Sequence, residues 1–160
     1  MRTIKFKGKC ISPEFKGKIA CGSLLTFPDG TARIFEHSHD KVFNYYSVDP
    51  DTVCQFTGFL DKNGKEIYEG DVLIEVDSVS SVVSSDTRFP CSIVFWHMAK
   101  GCFMLQKCLA SVDSSGFNTY DYDKNFTQKH LQSFEVVSNI HTPKWQRRLN
   151  IQISNKEEQQ

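Results

Sequence analysis

Residues Thr52–Val76 read T-V-C-Q-F-T-G-F-L-D-K-N-G-K-E-I-Y-E-G-D-V-L-I-E-V and carry the strongest structural signal in the chain. Val53–Thr57 and Val72–Val76 are rich in β-branched and aromatic residues, which is typical of strands. Polar turns that contain glycine lie between them, at Asp61–Gly64 and at Glu69–Asp71. The stretch therefore predicts a strand, a turn, a short extended segment, a second turn and a second strand.

The residue types in both turns have a physical explanation. An aspartate such as Asp61 accepts hydrogen bonds from the backbone N–H groups that follow it, and Asn63 tolerates a tight backbone conformation. Gly64 adopts positive φ without a steric cost. Around Gly70 the acidic side chains are expected to shape the turn through local hydrogen bonds. We therefore assign a role in the fold to the signature residues Gly58, Asp61, Asn63, Gly64, Tyr68, Glu69, Gly70 and Asp71.

This stretch resembles the core motif of the YopX family of phage and prophage proteins, Q-Y-T-G-L-x-D-K-N-G-K-E-I-Y-E-G-D-I-V. The start, Met1–Lys7, is similar to the family's M-R-x-I-K-F-R, and Phe134–Pro143 is similar to its E-V-I-G-N-I-Y-x-N-P. The chain departs from these patterns at Phe56, which replaces a tyrosine, and at Ser138, which replaces a glycine. The resemblance implies an SH3-like, partly open β-barrel and a phage, prophage or other mobile-element context, and it implies no activity.

Length and composition agree with one domain. The chain has 160 residues, 39% of them hydrophobic, and its formal net charge at pH 7 is zero. We expect a single domain over residues 1–153 and a disordered tail at 154–160. The zero net charge argues neither for nucleic acid nor for a membrane surface as a partner. No apolar run approaches the roughly 18 residues of a spanning helix, and the charged start is not that of a signal peptide. We expect a soluble, cytoplasmic protein.

The rest of the chain is mainly β in pattern. In residues 1–11, Ile4 and Phe6 face one side and the lysines face the other, which predicts an edge or half-exposed strand. Further strands are predicted at 19–27, 31–35, 41–48, 91–96, 102–106 and 136–140. The serine-rich segment Asp77–Arg88 and residues 113–125 are predicted to be loops. Residues 126–134 are expected to hold one or two helical turns, and Thr142-Pro143 to open a short C-terminal helix.

Candidate metal and redox groups have two interpretations each. The cysteines Cys10, Cys21, Cys54, Cys91, Cys102 and Cys108 form no C-x-x-C pair, and we favour reduced structural thiols over a metal or redox role. His37 and His39 either contribute to a metal site or belong to a polar surface loop. The Asp61 turn is not a calcium loop, because position twelve from Asp61 is Val72 and an EF-hand needs a glutamate there.

No known catalytic motif occurs in the sequence. It contains no nucleophile elbow, no glycine-rich phosphate loop and no H-E-x-x-H. The remaining enzyme alternative is a thiol–imidazole pair of Cys102 or Cys108 with His97 or His130, which no spacing supports. We predict that the protein is not an enzyme and has no catalytic residues, cofactor or metal.

A binding module is the expected class. The first hypothesis is an accessory module that acts through protein–protein contacts, with a second copy of itself or with a host or phage protein. The alternative is a nucleic-acid-binding barrel, in which a basic face contacts phosphates while Tyr45 and Tyr46 stack on bases. That face comprises Lys5, Lys7 and Lys9, extended by Lys16 and Lys18. We favour a simpler interpretation of these lysines, in which they protect an edge strand from further pairing.

Overall fold

The computed structural model describes residues 3–37, 43–76, 88–111, 117–123, 126–143 and 145. Within them the protein is mainly β, as the sequence predicts, and its strands form two antiparallel sheets. Contacts divide the chain into two compact units, Met1–Gly58 and Phe59–Gln160. The described strands form no closed barrel. The SH3-like architecture and the single domain over residues 1–153 stay predictions.

Six strands in the order β4-β3-β2-β1-β5-β6 form the first sheet. They are β1 (Phe6–Lys9), β2 (Ile19–Thr26), β3 (Ala32–His37), β4 (Phe43–Val48), β5 (Cys54–Leu60) and β6 (Glu66–Tyr68). Short 3-10 helices at Pro13–Phe15 and Pro50–Thr52 precede β2 and β5. Because β1 pairs with both β2 and β5, it is an internal strand, and the edge-strand interpretation of residues 1–11 is wrong.

The first sheet curls until its fourth strand meets the end of its first. Val48 forms an antiparallel bridge with Cys10, and the Ile11 N–H donates to the Ser47 carbonyl at 3.0 Å. The concave side of this curl holds the hydrophobic core of the first unit. The buried residues of this core are Cys10, Ala20, Ala32, Ile34, Tyr46 and Val48.

Five strands in the order β10-β9-β8-β7-β11 form the second sheet. They are β7 (Asp71–Glu75), β8 (Arg88–His97), β9 (Cys102–Ser111), β10 (Phe117–Asp123) and β11 (Phe134–Asn139). The short helix α1 (Gln128–Leu131) precedes β11, and the Thr127 side chain caps it by accepting from the His130 N–H. Among the described residues, no helix is long and apolar enough to cross a membrane.

Two hydrophobic clusters form the core of the second unit. Successive side chains of a strand point to opposite faces, so neighbours such as Val72 and Leu73 belong to different clusters and β7 and β8 are buried on both faces. One cluster contains Ile67, Leu73, Val94, Phe103, Leu105, Leu131, Phe134 and Val136. The other contains Val72, Cys91, Ile93, Cys108 and Trp145.

The strand predictions differ in their outcome. The paired strands expected at 19–27 and 31–35, and at 91–96 and 102–106, are confirmed as β2–β3 and β8–β9. The loop expected at 113–125 is wrong where it covers β10, because Phe117–Asp123 pairs with β9. Its aromatic residues and its threonine favour a strand, although Asn118 and Asp121 do not. Arg88 begins β8 and does not end a loop.

Several sequence predictions fall largely outside the described residues. The serine-rich loop lies outside them at 77–87, and so does the tail at 154–160. Of the C-terminal helix, Pro143 and Trp145 are helical, and the Trp145 N–H donates to the Thr142 carbonyl at 3.0 Å. The remainder of that helix is outside the described residues.

Two glycines of the signature turns provide a test of this fold. Both adopt positive φ, +77° at Gly64 and +73° at Gly70. A Cβ at Gly64 would meet open space, whereas one at Gly70 would lie 3.0 Å from Ile140 Cγ1. We expect Gly64→Ala to lower the free energy of unfolding by about 1 kcal/mol from backbone strain. We expect Gly70→Ala to lower it by roughly 2–3 kcal/mol, because overpacking adds to the strain.

Urea denaturation of the two variants beside the wild type measures both values. Equal losses would contradict the close approach of Gly70 to Ile140. Unchanged stability in either variant would contradict the turn assignment itself.

Candidate functional site

The first signature turn is built on a buried carboxylate. Asp61 is 1% exposed. Its Oδ1 accepts from the backbone N–H groups of Asn63 at 2.8 Å and Lys65 at 2.9 Å. Its Oδ2 accepts from the backbone N–H of Val136 at 3.0 Å. One side chain thus closes the turn and also joins it to β11.

The donors around Asp61 keep it ionised. Burial of the side chain alone would raise its pKa. The backbone N–H groups of Val136, Lys65 and Asn63, helped by the nearby Lys65 ammonium, outweigh burial and hold the pKa of Asp61 below its ordinary value. Because both oxygens face N–H donors, the group is arranged as a structural anion and not as a ligand for a cation.

The second signature turn is likewise held by a buried carboxylate, that of Asp71. Its Oδ2 accepts from the Tyr68 backbone N–H at 2.8 Å, and its Oδ1 accepts from the Asn139 side-chain amide at 2.9 Å. The Asn139 amide also donates to the Glu69 carbonyl at 3.4 Å. The backbone joins the same two segments, since the Ile140 N–H donates to the Gly70 carbonyl at 2.9 Å. The carboxylates of Asp61 and Asp71 are therefore both engaged within the fold.

Strand pairing places two of the five candidate lysines on one face of the first sheet. In the β1–β2 pairing, Lys7 lies opposite Cys21 and Lys9 opposite Ile19, so these side chains share the outer face of the sheet. The Lys5 ammonium lies 5.5 Å from the centroid of the Phe56 ring. Lys5, Lys7 and Lys9 are all half-buried, and Lys16 is exposed. Their contact with nucleic acid stays a prediction.

Lys18 is held by an aromatic and acidic environment. Its ammonium donates to the Tyr46 hydroxyl at 2.9 Å and lies 4.1 Å from the centroid of the same ring. The ring centroids of Phe15 and Tyr46 are 5.1 Å apart, edge to face, and Glu36 forms an ion pair with Lys18 at 3.6 Å. The Tyr46 hydroxyl, and then Glu36, hold the pKa of Lys18 above its ordinary value. Tyr46 is itself buried, so the expectation that it stacks on bases is wrong.

The first unit exposes an aromatic surface on the convex side of its sheet. In register, Leu25 lies opposite Arg33, and Phe35 lies opposite Tyr45. The Arg33 guanidinium carbon is 5.0 Å from the centroid of the Phe27 ring and 5.4 Å from that of Tyr45. Tyr45 is 59% exposed and Leu25 is 45% exposed. We call this surface the aromatic–arginine face; it comprises Leu25, Phe27, Arg33, Phe35 and Tyr45.

Of this face, only Tyr45 is predicted from the sequence as a contact residue. The signal for the others was present, because residues two apart on a strand share a side. The alternation of Leu25 with Phe27, and of Arg33 with Phe35, places each pair on one face of a predicted strand. What the alternation lacks is the register between the strands, which brings the two pairs together.

The candidate cysteines and histidines lie at separate places in the described structure. Cys102 lies opposite His97 where the β8–β9 hairpin turns, and Cys108 lies opposite Cys91 further along it. His130 belongs to α1. His39 is outside the described residues, and His37 ends β3. Within the described part of the chain, no three or more His, Cys, Asp or Glu side chains are arranged to hold a metal ion.

A substitution at Asp61 tests the role of its carboxylate. Asp61→Asn turns one acceptor into an NH₂ donor and leaves at least one buried N–H without its partner. We expect the free energy of unfolding to fall by about 2–4 kcal/mol. Asp29→Asn is the matched control, since exposed Asp29 accepts from the backbone N–H and hydroxyl of Thr31. Urea denaturation measures the free energy of unfolding of both variants. If Asp29→Asn lowers it as much as Asp61→Asn does, burial of the Asp61 carboxylate does not account for its contribution to stability.

The pH dependence of stability follows from the lowered pKa of Asp61. A group whose pKa is lower in the folded state stabilises fully above its unfolded pKa, about 3.9 for aspartate. That contribution is lost as the pH falls through the folded value. We therefore expect the stability gap between wild type and Asp61→Asn to be constant near neutral pH and to narrow below about pH 4. A gap that stays constant to pH 2 would show that the charge contributes nothing.

Comparisons with known proteins identify a family. The family model described as YopX protein matches residues 25–144. No curated protein matches the chain. The crystal structure of protein EF1440 from Enterococcus faecalis is similar at 18% sequence identity and a TM-score of 0.46, covering 88% of this chain and 95% of that one. The resemblance carried by the motifs is thereby confirmed: the family match spans more than half of the sequence, and the chain belongs to the YopX family.

Proposed function

We propose that the protein is a non-enzymatic accessory module of a phage or integrated element, which works in the cytoplasm by contacting another protein through the aromatic–arginine face. The observation that carries this proposal is the exposure of Tyr45 and Leu25 around a guanidinium that is already held in place. The mobile-element context is supported by the family to which the chain belongs.

The composition of the face suits a protein partner. Tyrosine and arginine dominate the residues that contribute most to binding energy at protein interfaces. Charged residues other than arginine are depleted at the centres of such interfaces. Within the face, Arg33 is the charged member, and Leu25, Phe27, Phe35 and Tyr45 are apolar or aromatic. Burying this surface against a complementary one would supply the hydrophobic contribution to binding.

The ring contacts of Arg33 bear on affinity. A long side chain normally loses rotamer freedom when it is immobilised at an interface. Stacking of Arg33 between Phe27 and Tyr45 restricts it before a partner arrives, which lowers that cost. The N–H groups at the edge of the guanidinium then suit a carboxylate. The expected partner surface is therefore apolar and carries an aspartate or glutamate.

Two observations favour a protein over nucleic acid as the partner. Lys18 is engaged by Tyr46 and Glu36, and Lys5 lies over Phe56. The formal net charge is zero, which gives no general attraction to phosphates. The nucleic-acid alternative would rest on the lysines named for it from the sequence, which are Lys5, Lys7, Lys9, Lys16 and Lys18. The enzyme alternative would rest on Cys102 and His97, which lie opposite each other in the β8–β9 pairing.

Affinity capture with paired variants tests the proposed face. Tagged full-length protein is expressed in bacteria that carry the gene, as wild type, as Arg33→Ser with Tyr45→Ser, and as Met98→Ser. Met98 is 86% exposed and belongs to the second unit, so it controls for loss of any exposed apolar side chain. We expect the protein partner to be recovered with wild type and Met98→Ser, and its affinity to fall at least about tenfold in the double variant.

Melting curves of the three proteins establish that each is folded. Equal recovery with the double variant would exclude the aromatic–arginine face as the binding surface. Recovery that disappears after nuclease treatment, with retention on a nucleic-acid column that falls steeply with salt, would replace the proposal by the nucleic-acid alternative.

A further inference from the structure

Two buried cysteines face each other in the β8–β9 hairpin. Cys91 and Cys108 are directly opposite in the antiparallel pairing and are 4% and 0% exposed. Their Sγ atoms are 2.8 Å apart. The Cys108 thiol also donates to the Cys91 carbonyl at 3.3 Å. Both are free thiols, and the contact between their sulfurs is a hydrogen bond that either thiol can donate.

The strand geometry permits a covalent bond between them. Cα atoms of opposite residues in an antiparallel pair are about 4.5–5.5 Å apart, and a disulfide spans roughly 4.4–6.8 Å. A disulfide S–S bond is about 2.05 Å long, so the sulfurs need to approach by less than an ångström from their present 2.8 Å. The two residues are already opposite each other, so bond formation needs no change of register.

We propose that Cys91 and Cys108 are an oxidative modification site, at which a small disulfide oxidant forms a cross-strand disulfide that locks β8 to β9. The lock would be independent of the aromatic–arginine face, which belongs to the first unit.

The reaction balances with a disulfide oxidant such as oxidised glutathione. The thiolate of one cysteine attacks the oxidant, breaks its S–S bond and releases one glutathione thiolate. The second cysteine then attacks the mixed disulfide, forms the Cys91–Cys108 bond and releases the second glutathione. The two protein thiols lose two electrons and two protons, which leave with the two reduced glutathione molecules.

The surroundings of the pair make the reaction slow in the closed hairpin. Cys91, by its hydrogen bond, and then burial raise the pKa of the Cys108 thiol. The thiolate is the nucleophile, so a raised pKa lowers the reactive fraction. Trp145, Val72 and Ile93 pack around the two cysteines. The oxidant therefore reacts when the hairpin opens or before it has folded.

The two exposed cysteines differ from this pair in the product that we expect them to form with the oxidant. Exposed Cys21 lies opposite Lys7, and exposed Cys102 lies opposite His97. Neither has a cysteine across the strand pair. Both are expected to form mixed disulfides with glutathione and no intramolecular bond.

Refolding in a glutathione redox buffer tests the proposal, because glutathione reaches both cysteines while the protein is still unfolded. The full-length protein with Cys21→Ser and Cys102→Ser is unfolded in urea and refolded with oxidised and reduced glutathione. We expect the product to lose the mass of two hydrogen atoms and to yield, after digestion, a peptide pair joined through Cys91 and Cys108. We expect its melting temperature to rise by on the order of 5 °C, and a reductant to reverse the rise.

The same protein with Cys108→Ala is the control, and it should show neither the mass loss nor the rise in melting temperature. Cys91 and Cys108 recovered as free thiols or glutathione adducts from the oxidised, refolded protein would overturn the proposal. A bond that involves Cys10 or Cys54 would overturn it as well. The linked peptide is read in the chain that keeps both cysteines, so the conclusion does not depend on the folding of the control.

Discussion

The carboxylate of Asp61 is the constraint on which the second unit depends. A buried charge is costly unless hydrogen bonds replace the water it loses. Here three backbone N–H groups do so, two from the turn and one from Val136, 75 residues further along the chain. Asp71 acts in the same way through Tyr68 and Asn139. The two carboxylates hold the signature turns and bind them to β11 and its C-terminal end.

This arrangement explains why the most distinctive stretch of the sequence does not disclose a function. The side chains that resemble calcium ligands or catalytic acids, Asp61 and Asp71, have backbone and amide donors as partners. They are used within the fold and are almost fully buried. The proposed binding function is therefore assigned to a surface outside the motif. In the first unit, the convex side of the curled sheet offers such a surface.

Much of the fold follows from local sequence. Alternation and turn residues predict the strand pairs β2–β3 and β8–β9, because neighbouring strands joined by a short turn need no distant information. The sequence also suffices to predict that Cys91 lies opposite Cys108, because both are the same distance from the centre of the turn between His97 and Cys102. The fixed register of a hairpin carries that information once its turn is located.

The features that escape local reasoning depend on distant contacts. The internal position of β1 arises from pairing with β5, far along the chain. Tyr46 is buried because the sheet curls and closes on Val48, whereas its neighbour Tyr45 faces outward. The residues 117–123 are polar enough to suggest a loop, and only their pairing with β9 makes them a strand. The backbone N–H of Val136, which donates to Asp61, likewise cannot be predicted from the sequence of the turn alone.

Amide hydrogen exchange measured by NMR tests this account most directly. If the Asp61 carboxylate accepts from Asn63, Lys65 and Val136, all three amide protons exchange slowly, at the rates of the core strands β7 and β11. In Asp61→Asn we expect these three amide protons to exchange faster than they do in the wild type. Exchange of the Lys65 and Val136 protons at the rates of an unstructured chain in the wild type would contradict the account.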